Sequence, residues 1–341
     1  MAGIPAAHPN FLVIRLSSFG DVVLAEPATR EIKRAFPGSH VFFCTRDEYA
    51  AIPALFASVD RVVAVRRKGG GLELPVELQG IDFEAVVDLQ GNLRSRTIAR
   101  RLRAARNLRY RRPIARRFCL VYLPWVWKGR LKHTTELYLE ALRPLGIAAR
   151  ATAPHIEAPA GTRREAATRV GPSPVVALCP GASSPHKSWG EERFANLATH
   201  LRKQGLRILV VGSENDRPAV EALVALAGEP VASTHVTDDV SMTAAVLSLC
   251  SVAVSNDSGL MHLAAAVGTP VVSIFGPTSP VLGFAPLGAG SVAVSRGLPC
   301  SPCSYHGNRP CRLRRRICME DIDPSEVASI VDHLAKTQSN R

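Results

Sequence analysis

One stretch of the chain, residues 251–277 with the sequence SVAVSNDSGLMHLAAAVGTPVVSIFGP, constrains the fold more than any other. It begins as an apolar strand pattern, passes through the polar turn SNDSG and an alanine-rich helical pattern, and ends in a second strand after Gly-Thr-Pro. The pattern predicts a β-α-β unit whose turn lies at a helix N-terminus. Backbone N–H groups and the positive end of the helix dipole at such a turn favour a diphosphate ligand. Asp257 in this turn either accepts hydrogen bonds from sugar hydroxyls or simply caps the helix.

Strand and helix patterns alternate through both halves of the chain. This alternation predicts an α/β fold in which parallel sheets are covered by helices on both faces. Strands are predicted at residues 11–16, 41–45, 62–65, 85–89, 175–178, 207–211, 252–254, 271–275 and 292–295. Helices are predicted at residues 22–36, 136–146, 191–204, 218–227, 241–250, 260–267 and 324–336.

A chain of 341 residues is too long for one ordinary domain and suits two. We place the boundary within residues 148–174, a stretch rich in Ala, Pro and Arg that is expected to hold a linker and one edge strand. The prediction is an N-terminal domain at 1–160 and a C-terminal domain at 161–341. Ligands of such sheets bind beyond the carboxyl ends of the strands. A cleft between the two domains is therefore expected to receive the loops 17–21, 180–187, 212–216 and 255–259.

The positive charge of the chain is concentrated in its first half. Residues 1–160 carry 25 Lys and Arg against 14 Asp and Glu, a net charge of +11, whereas residues 161–341 carry a net charge of +2. The first half is therefore expected to meet an anionic partner, and nucleic acid, a phosphorylated glycolipid and an anionic membrane face are all compatible. Eleven arginines and no acidic residue lie between Arg94 and Arg117, and the apolar segment FCLVYLPWVW follows at 118–127. That segment is either an interfacial membrane contact or a core element with solvated arginine neighbours.

No segment has the length of apolar sequence that a membrane-spanning helix needs, and the opening MAGIPAAHPN has neither the basic nor the apolar part of a signal peptide. We therefore expect a cytoplasmic protein. The chain also contains neither GxxxxGK[ST] nor GxGxxG, so kinase-like and dinucleotide-binding functions lose support.

Three side chains near the predicted cleft are candidates for the chemistry. Asp21 comes after the first strand and at a helix start, where a carboxylate can accept a proton from a sugar hydroxyl or act only as a cap. Lys187 follows the loop PGASS, where an ammonium group neutralises the charge that grows on a departing diphosphate, although an isolated lysine is more often a solvated surface residue. His262 either donates to a phosphate or lies in the core.

Four segments, SSFGDVVLAEPA, PGASSPHKSWGEERFANLA, VVGSENDR and SNDSGLMHLAAAVGTPVVSIFGPT, resemble glycosyltransferase family 9, the heptosyltransferases that build the lipopolysaccharide inner core. The similarity runs over nearly the whole chain, in order and at the family's spacing. It implies a GT-B fold, with two Rossmann-like doubly wound domains facing a central cleft, the acceptor in the N-terminal domain and the nucleotide-sugar in the C-terminal domain. It also implies inverting, metal-independent transfer of heptose from ADP-L-glycero-D-manno-heptose to a lipopolysaccharide inner-core acceptor.

The resemblance also assigns roles to individual residues. By position Asp21 matches the general base, and Lys187 matches the lysine at the donor phosphates. A ribose-binding carboxylate falls on Glu214 or Asp216, of which we favour Glu214. Other donor contacts are expected from Ser183, Asp257, Ser258, Gly259 and His262. The acceptor is an anionic glycolipid at the cytoplasmic face of the inner membrane, where the enzyme would be peripheral, and its contacts are expected from Gln90, Asn92, Arg94 and Arg96.

Four of the eight cysteines form a cluster near the C-terminus, with the spacing Cys300-x2-Cys303-x7-Cys311-x6-Cys318. Such thiols can close a tetrahedral zinc or iron site, and a cytosol disfavours disulfides. Similar cysteine-rich insertions occur in some members of the resembling family and not in others, which favours a structural rather than a catalytic metal. The alternative is a set of reduced free thiols.

Two other functions stay open on the sequence. One is a relative that uses a different nucleotide-sugar or glycosylates a protein, because sugar selectivity depends on a few side chains of the cleft. The other is a non-enzymatic nucleic-acid binder built on the arginine run and the thiol cluster. The scarcity of aromatic residues among those arginines and the complete set of donor-loop residues weigh against the second.

Overall fold

The structure is a computed structural model that describes residues 8–68, 71–72, 75–127, 129–172, 174–228, 233–313 and 315–339. The chain divides into two compact units: unit 1 is Met1–Arg112 with His133–Glu157, and unit 2 is Pro113–Lys132 with Ala158–Arg341. Residues 113–132 group with the C-terminal unit, and the predicted domains at 1–160 and 161–341 stay a prediction. The acceptor and donor roles of the two domains stay predictions.

Unit 1 is built on a five-stranded parallel sheet in the order β3-β2-β1-β6-β7. The strands of the unit, which also include a separate antiparallel pair formed by β4 and β5, are β1 (Asn10–Ile14), β2 (His40–Arg46), β3 (Arg61–Val65), β4 (Arg67–Lys68), β5 (Gly71–Leu72), β6 (Asp82–Asp88) and β7 (Arg103–Arg109). Its first helices are α1 (Phe19–Val23), α2 (Glu26–Ala35) and α3 (Leu93–Arg100). The chain then forms α4 (Ile114–Tyr122), which belongs to unit 2, and returns as α5 (Thr134–Glu140). Strand β1 pairs on both sides, so its apolar residues are fully buried.

Unit 2 is built on a six-stranded parallel sheet in the order β10-β9-β8-β11-β12-β13. Its strands are β8 (Val175–Cys179), β9 (Arg207–Gly212), β10 (Ser233–Val236), β11 (Val252–Asn256), β12 (Val271–Ile274) and β13 (Val292–Val294). Besides α4, its helices are α6 (Ala160–Val170), α7 (Glu191–Lys203), α8 (Arg217–Ala227), α9 (Val240–Ser248), α10 (Gly259–Ala266), α11 (Ile317–Glu320) and α12 (Pro324–Ser339). In the core, α7 and α12 pack against one face of the sheet, around the buried Trp189 and Phe194. Both units are thus the predicted parallel sheets covered by helices.

Two sequence predictions are wrong in their detail. The helix predicted over 22–36 is interrupted between α1 and α2, because Pro27 lacks a backbone N–H and fits only in the first turn of a helix. The edge strand predicted within 148–174 is absent from the described residues of that stretch, which contain α6 and no strand.

The segment at 113–132 has one packed face and one exposed face. Leu120 and Leu131 pack against Leu282 of the same unit, and the Leu131 N–H donates to the carbonyl of Val281 at 2.9 Å. Large apolar side chains on the other face lie in solvent: Ile114, Phe118, Trp125 and Val126. One face of the segment is therefore a core element, and contact of the exposed face with a membrane stays a prediction. None of the helices described is both long and apolar enough to cross a membrane.

Candidate active site

Asp21 lies in the first turn of α1, just after β1. Its Oδ2 accepts hydrogen bonds from the Ser18 backbone N–H at 3.3 Å and from the Ser18 hydroxyl at 3.0 Å. Ser18 is the N-cap of α1, so the two residues form a capping box. The Asp21 side chain nevertheless keeps 19% of its surface exposed, which leaves it reachable by a substrate. The carboxylate caps the helix and can still accept a proton.

Two further side chains fix the Asp21 carboxylate. The Arg15 guanidinium lies 2.8 Å from Oδ2, and the Tyr138 hydroxyl on α5 donates to Oδ1 at 3.2 Å. Burial acts to raise the pKa of Asp21, but Arg15 and Ser18 together hold that pKa below its ordinary value of 3.8. Burial, helped by the Asp21 charge, holds the pKa of Tyr138 well above its ordinary value, so its hydroxyl stays a donor. The site therefore presents an ionised, oriented carboxylate.

Sequence reasoning missed both partners of this carboxylate. Arg15 had a signal, because a charged residue interrupts the apolar run FLVIRL at the end of β1. In the structure Arg15 is buried and also donates to the Leu89 carbonyl at 2.8 Å. Tyr138 had no comparable signal, since it reaches Asp21 from 117 residues along the chain.

The four residues assigned to the acceptor lie in the turn after β6 and at the start of α3: Gln90, Asn92, Arg94 and Arg96. Gln90 is buried, and its Oε1 accepts from the N–H groups of Leu16 and Ser17 at 3.0 and 3.2 Å. It thereby supports the turn that leads to α1. The Asn92 side chain caps α3, and the two arginines are exposed and half-buried respectively. Their contact with an acceptor stays a prediction.

Lys187 and Asp257, both assigned to the donor, form an ion pair in unit 2. The Lys187 Nζ lies 2.8 Å from the Asp257 Oδ2, and the two side chains are only 11% and 12% exposed. The Thr278 hydroxyl donates to the same Oδ2 at 2.7 Å. Lys187 follows β8 and Asp257 follows β11, and these strands are neighbours in the sheet. The structure thus brings the two predicted residues together, and Lys187 is not a solvated surface lysine.

Helix α10 begins directly after this ion pair. Ser258 is its N-cap and Gly259 its first residue. The Ser258 hydroxyl pairs with the Ser255 hydroxyl at 3.1 Å and makes no capping bond to the helix backbone. The first-turn N–H groups, which have no carbonyl partner inside a helix, are therefore not capped by Ser258 and suit an anion. His262 is buried on the same helix.

Asn256 joins the two loops that carry the ion pair, and sequence reasoning gave it no role. Its Oδ1 accepts from the backbone N–H of Trp189 at 3.0 Å, and its Nδ2 donates to the Pro180 carbonyl at 2.7 Å. The side chain is fully buried at the end of β11. A polar amide at the end of an apolar strand is the signal that could have identified it. Ser183, which follows Pro180 in the loop PGASS, is exposed.

Glu214 and Asp216, the alternative ribose ligands, have different surroundings. The Glu214 carboxylate pairs with Arg217 at 2.6 Å and is nearly half exposed. The Asp216 carboxylate accepts from the Ser213 hydroxyl at 2.7 Å and lies where a Cβ on Gly181 would stand. Asp216 therefore packs against the loop PGASS, whereas Glu214 faces solvent. The assignment of the ribose to Glu214 stays a prediction.

The clustered thiols lie near Cys318. Burial, together with the neighbouring Cys303, Cys300 and Cys311, raises the pKa of Cys318 to about 11. Cys300 and Cys311 are exposed, and the other two are half-buried. Across the described ranges, however, no three His, Cys, Asp or Glu side chains are grouped so that they could hold a metal ion.

The model of glycosyltransferase family 9 (heptosyltransferase) matches residues 72–312, well over half of the chain. The chain belongs to glycosyltransferase family 9. It is therefore a glycosyltransferase, as the sequence motifs predicted. Among curated relatives, lipopolysaccharide heptosyltransferase 1 of Pseudomonas aeruginosa is 29% identical over an alignment of 351 positions that covers 93% of this chain and 96% of that protein.

Solved structures of similar proteins confirm the GT-B fold. A Veillonella parvula member superposes with a TM-score of 0.77 at 20% identity, covering 96% of this chain and 97% of that one. An Escherichia coli heptosyltransferase solved with ADP superposes with a TM-score of 0.71 at 21% identity, covering 96% of this chain and 100% of that one. A third structure is an iron-containing dodecameric heptosyltransferase from enterotoxigenic Escherichia coli, solved with ADP-D-β-D-heptose. It superposes with a TM-score of 0.59 at 15% identity, covering 97% of this chain and 77% of that one.

Proposed function

We propose that this family 9 glycosyltransferase transfers heptose from ADP-L-glycero-D-manno-heptose to an inner-core lipopolysaccharide acceptor. The observation that carries the proposal is the ion pair of Lys187 and Asp257 beside the N-terminus of α10. Asp257 is itself anionic, so its part is to orient the lysine rather than to bind phosphate. The ammonium and the helix N-terminus together suit a diphosphate. Relatives named as lipopolysaccharide heptosyltransferases, one of them solved with ADP, support this donor class.

In the proposed mechanism Asp21 accepts the proton of the acceptor hydroxyl as that oxygen attacks the anomeric carbon of the heptose. The new C–O bond forms on the face opposite the diphosphate, and the old C–O bond breaks, so the configuration inverts. ADP leaves with the electron pair, and Lys187 with the α10 N–H groups stabilises the charge that develops on it. These groups supply the positive charge themselves, so the mechanism is metal-independent.

A transfer assay tests this function. The protein is incubated with ADP-heptose and a core acceptor that lacks heptose, in the presence of EDTA, and both ADP release and the mass of the glycolipid are followed. We expect stoichiometric ADP and a product heavier by one heptose. Calorimetric titration with ADP, UDP and GDP runs beside it. A preference for UDP or GDP would contradict the ADP-heptose donor, and transfer to a protein in place of the glycolipid would contradict the acceptor.

The exposed face of the segment 113–132 supports peripheral binding to an anionic membrane, the predicted location of the acceptor. Trp125 is 73% exposed and Phe118 is 48% exposed. The same segment also carries exposed cations, namely Arg116, Arg130 and Lys132. No acidic residue lies between Asp88 and Glu136 in the sequence. A segment that exposes both apolar anchors and cations is suited to a surface of anionic lipid.

We expect Trp125→Ser to weaken vesicle binding about tenfold, because an aromatic side chain that leaves water contributes about 1.5–3 kcal/mol. Sedimentation with phosphatidylcholine vesicles, with and without phosphatidylglycerol, measures the binding. Leu226→Ser on α8, an apolar side chain that is 55% exposed elsewhere in unit 2, is the matched control. Equal binding by both variants, or binding that ignores the anionic lipid, would rule out this surface.

A structural zinc or iron at the four clustered cysteines stays a prediction. The other three thiols are near enough to raise the pKa of Cys318, but as placed the four do not fit a bound metal, and no mechanistic step uses one. An iron-containing heptosyltransferase of the same fold is the reason to test it. If the site forms, protein purified without chelators carries about one metal per chain by the four-thiolate stoichiometry. Cys303→Ser should lose that metal, and the control variant Cys119→Ser, outside the cluster, should retain it. Wild-type protein without metal would contradict the prediction.

A further inference from the structure

The cysteine segment, residues 300–318, contacts the loop that carries Lys187 and the loop whose Thr278 hydroxyl donates to Asp257. Its described residues lie between the loop that follows β8 and the loop that follows β12. So far this segment has only a candidate metal site. Its contacts indicate a part in holding the donor site itself.

The first set of contacts fixes the loop that bears Lys187. The Ser184 hydroxyl donates to the Gly307 carbonyl at 2.6 Å, and both groups are buried. At the other end of the loop, the Arg316 guanidinium donates to the carbonyls of Pro185 and Ser188 at 2.8 and 3.0 Å. The cysteine segment therefore bonds to this loop on both sides of Lys187.

The second set of contacts fixes the loop that supports Asp257. The backbone N–H groups of Cys303 and Ser304 both donate to the Pro277 carbonyl, at 2.9 and 3.2 Å. The next residue is Thr278, whose hydroxyl donates to the Asp257 carboxylate at 2.7 Å. The same segment thus positions both partners of the ion pair.

Gly307 is the point of closest approach to the lysine. Its φ is +67°, and a Cβ added there would lie 2.6 Å from the Lys187 Cδ and closer still to its Cγ. Real Cβ atoms do not come so near another carbon, so any larger residue would have to push the lysine stem aside. The bare glycine backbone leaves room for that stem, and the ammonium reaches Asp257 at 2.8 Å.

We propose that Gly307 is a positioning residue for Lys187, and that through it the cysteine segment sets the affinity for the donor diphosphate. The proposal deepens the proposed function and rests on it, because Lys187 is the phosphate-binding cation. Gly307 itself contacts no substrate in this scheme and acts only by where it places the ammonium. A change in the cysteine segment would accordingly reach donor binding through Lys187.

Gly307→Ala tests the proposal, with Gly297→Ala as the matched control. Gly297 has a similar φ of +57°, but a Cβ there meets no atom within 4 Å, so both variants strain the backbone and only one displaces the lysine. We expect Gly307→Ala to weaken ADP binding about tenfold, the usual effect of losing one charge-assisted hydrogen bond. Gly297→Ala should stay within about twofold of wild type. Thermal unfolding of each variant verifies that the measured protein is folded.

A double-variant cycle separates positioning from a general loss of structure. In the Lys187→Ala background the lysine stem beyond Cβ is gone, so Gly307→Ala should cause no further loss of ADP affinity. An equal loss in both backgrounds, or Gly307→Ala behaving like Gly297→Ala, would overturn the proposal.

A second readout does not depend on ADP. Lys187 is buried and paired in the wild type, so it should react slowly with an amine-acylating reagent, as followed by peptide mass spectrometry. Gly307→Ala should raise the acylation rate of Lys187 several-fold, whereas Gly297→Ala should not. If wild-type protein bound no ADP, the proposed function would fail, and the acylation rates alone would decide the placement of Lys187. Unchanged acylation in Gly307→Ala would then overturn this proposal too.

Discussion

Asp21→Asn is expected to lower kcat for heptose transfer by about 10²–10⁴-fold, the usual contribution of a general base. The amide keeps the shape of the carboxylate and can still accept hydrogen bonds from Ser18 and Arg15, but it cannot take the acceptor proton. Donor affinity should be unchanged, because the predicted donor residues lie in unit 2. Initial rates of ADP release with saturating acceptor, together with ADP titration of the same variant, give the two quantities.

The pH dependence of the reaction gives an independent measure of this carboxylate. With the pKa of Asp21 below 3.8, the acid limb of kcat/KM should lie below that pH in the wild type. Arg15→Met removes the cation and leaves the effect of burial, which raises the pKa, so the limb should move to higher pH. Arg15→Lys keeps the charge and should move it less. A fully active Asp21→Asn, or an acid limb that Arg15→Met leaves in place, would show that Asp21 is not the base.

The same pKa shift affects stability. Because the folded-state pKa of Asp21 is lowered, its ionised form stabilises the fold at pH values above the unfolded-state pKa. That contribution is lost as the pH falls through the folded-state value. Asp21→Asn should therefore also unfold at a lower temperature at neutral pH, since it leaves the buried Arg15 without its counter-ion. Rates are for that reason compared only at temperatures where each variant is folded.

The parts of the fold that the sequence predicts are those with a local signal. The central strands β1, β8 and β11 are fully or almost fully buried on both faces, so they appear as continuous apolar runs bounded by turn residues. Edge strand β7 has the sequence RAARNLR, with most side chains exposed, and nothing in that pattern distinguishes it from a charged loop. From the sequence, this stretch is identified only as part of an arginine run. The strand forms through backbone pairing with β6, and side-chain burial contributes little to it.

The candidate site divides in the same way. Asp21, Lys187 and Asp257 were predictable because each follows a strand at a turn, where ligand-binding side chains of parallel sheets are found. The groups that orient them come from distant segments, as Tyr138 does for Asp21 and Gly307 does for Lys187. A glycine that is needed because a larger side chain would not fit has no functional group that marks it in the sequence. Such contacts become visible only when the chain is folded.

Lys187→Met is expected to weaken ADP binding and to lower kcat together, with a combined loss of about 10²–10³-fold in kcat/KM, as for removal of one preorganised group that stabilises a developing anion. Methionine keeps most of the stem volume beside Gly307 but has no charge. The Asp257 carboxylate then stands buried at the site without its cation and repels the diphosphate. Asp257→Asn should restore part of the ADP affinity in this background, because it removes that repulsion.

The exposed Lys203 on α7 offers the matched control, since Lys203→Met removes the same charge away from the site. It should leave ADP affinity within about twofold, because a charge that is exposed to solvent is screened by salt. Titration with adenosine in place of ADP supplies a second discrimination: Lys187→Met should weaken ADP but not adenosine, which has no phosphate for the ammonium to contact. Equal losses for the two ligands would mean that Lys187 shapes the nucleoside pocket rather than neutralising the diphosphate, and the leaving-group role would have to pass to the N-terminus of α10.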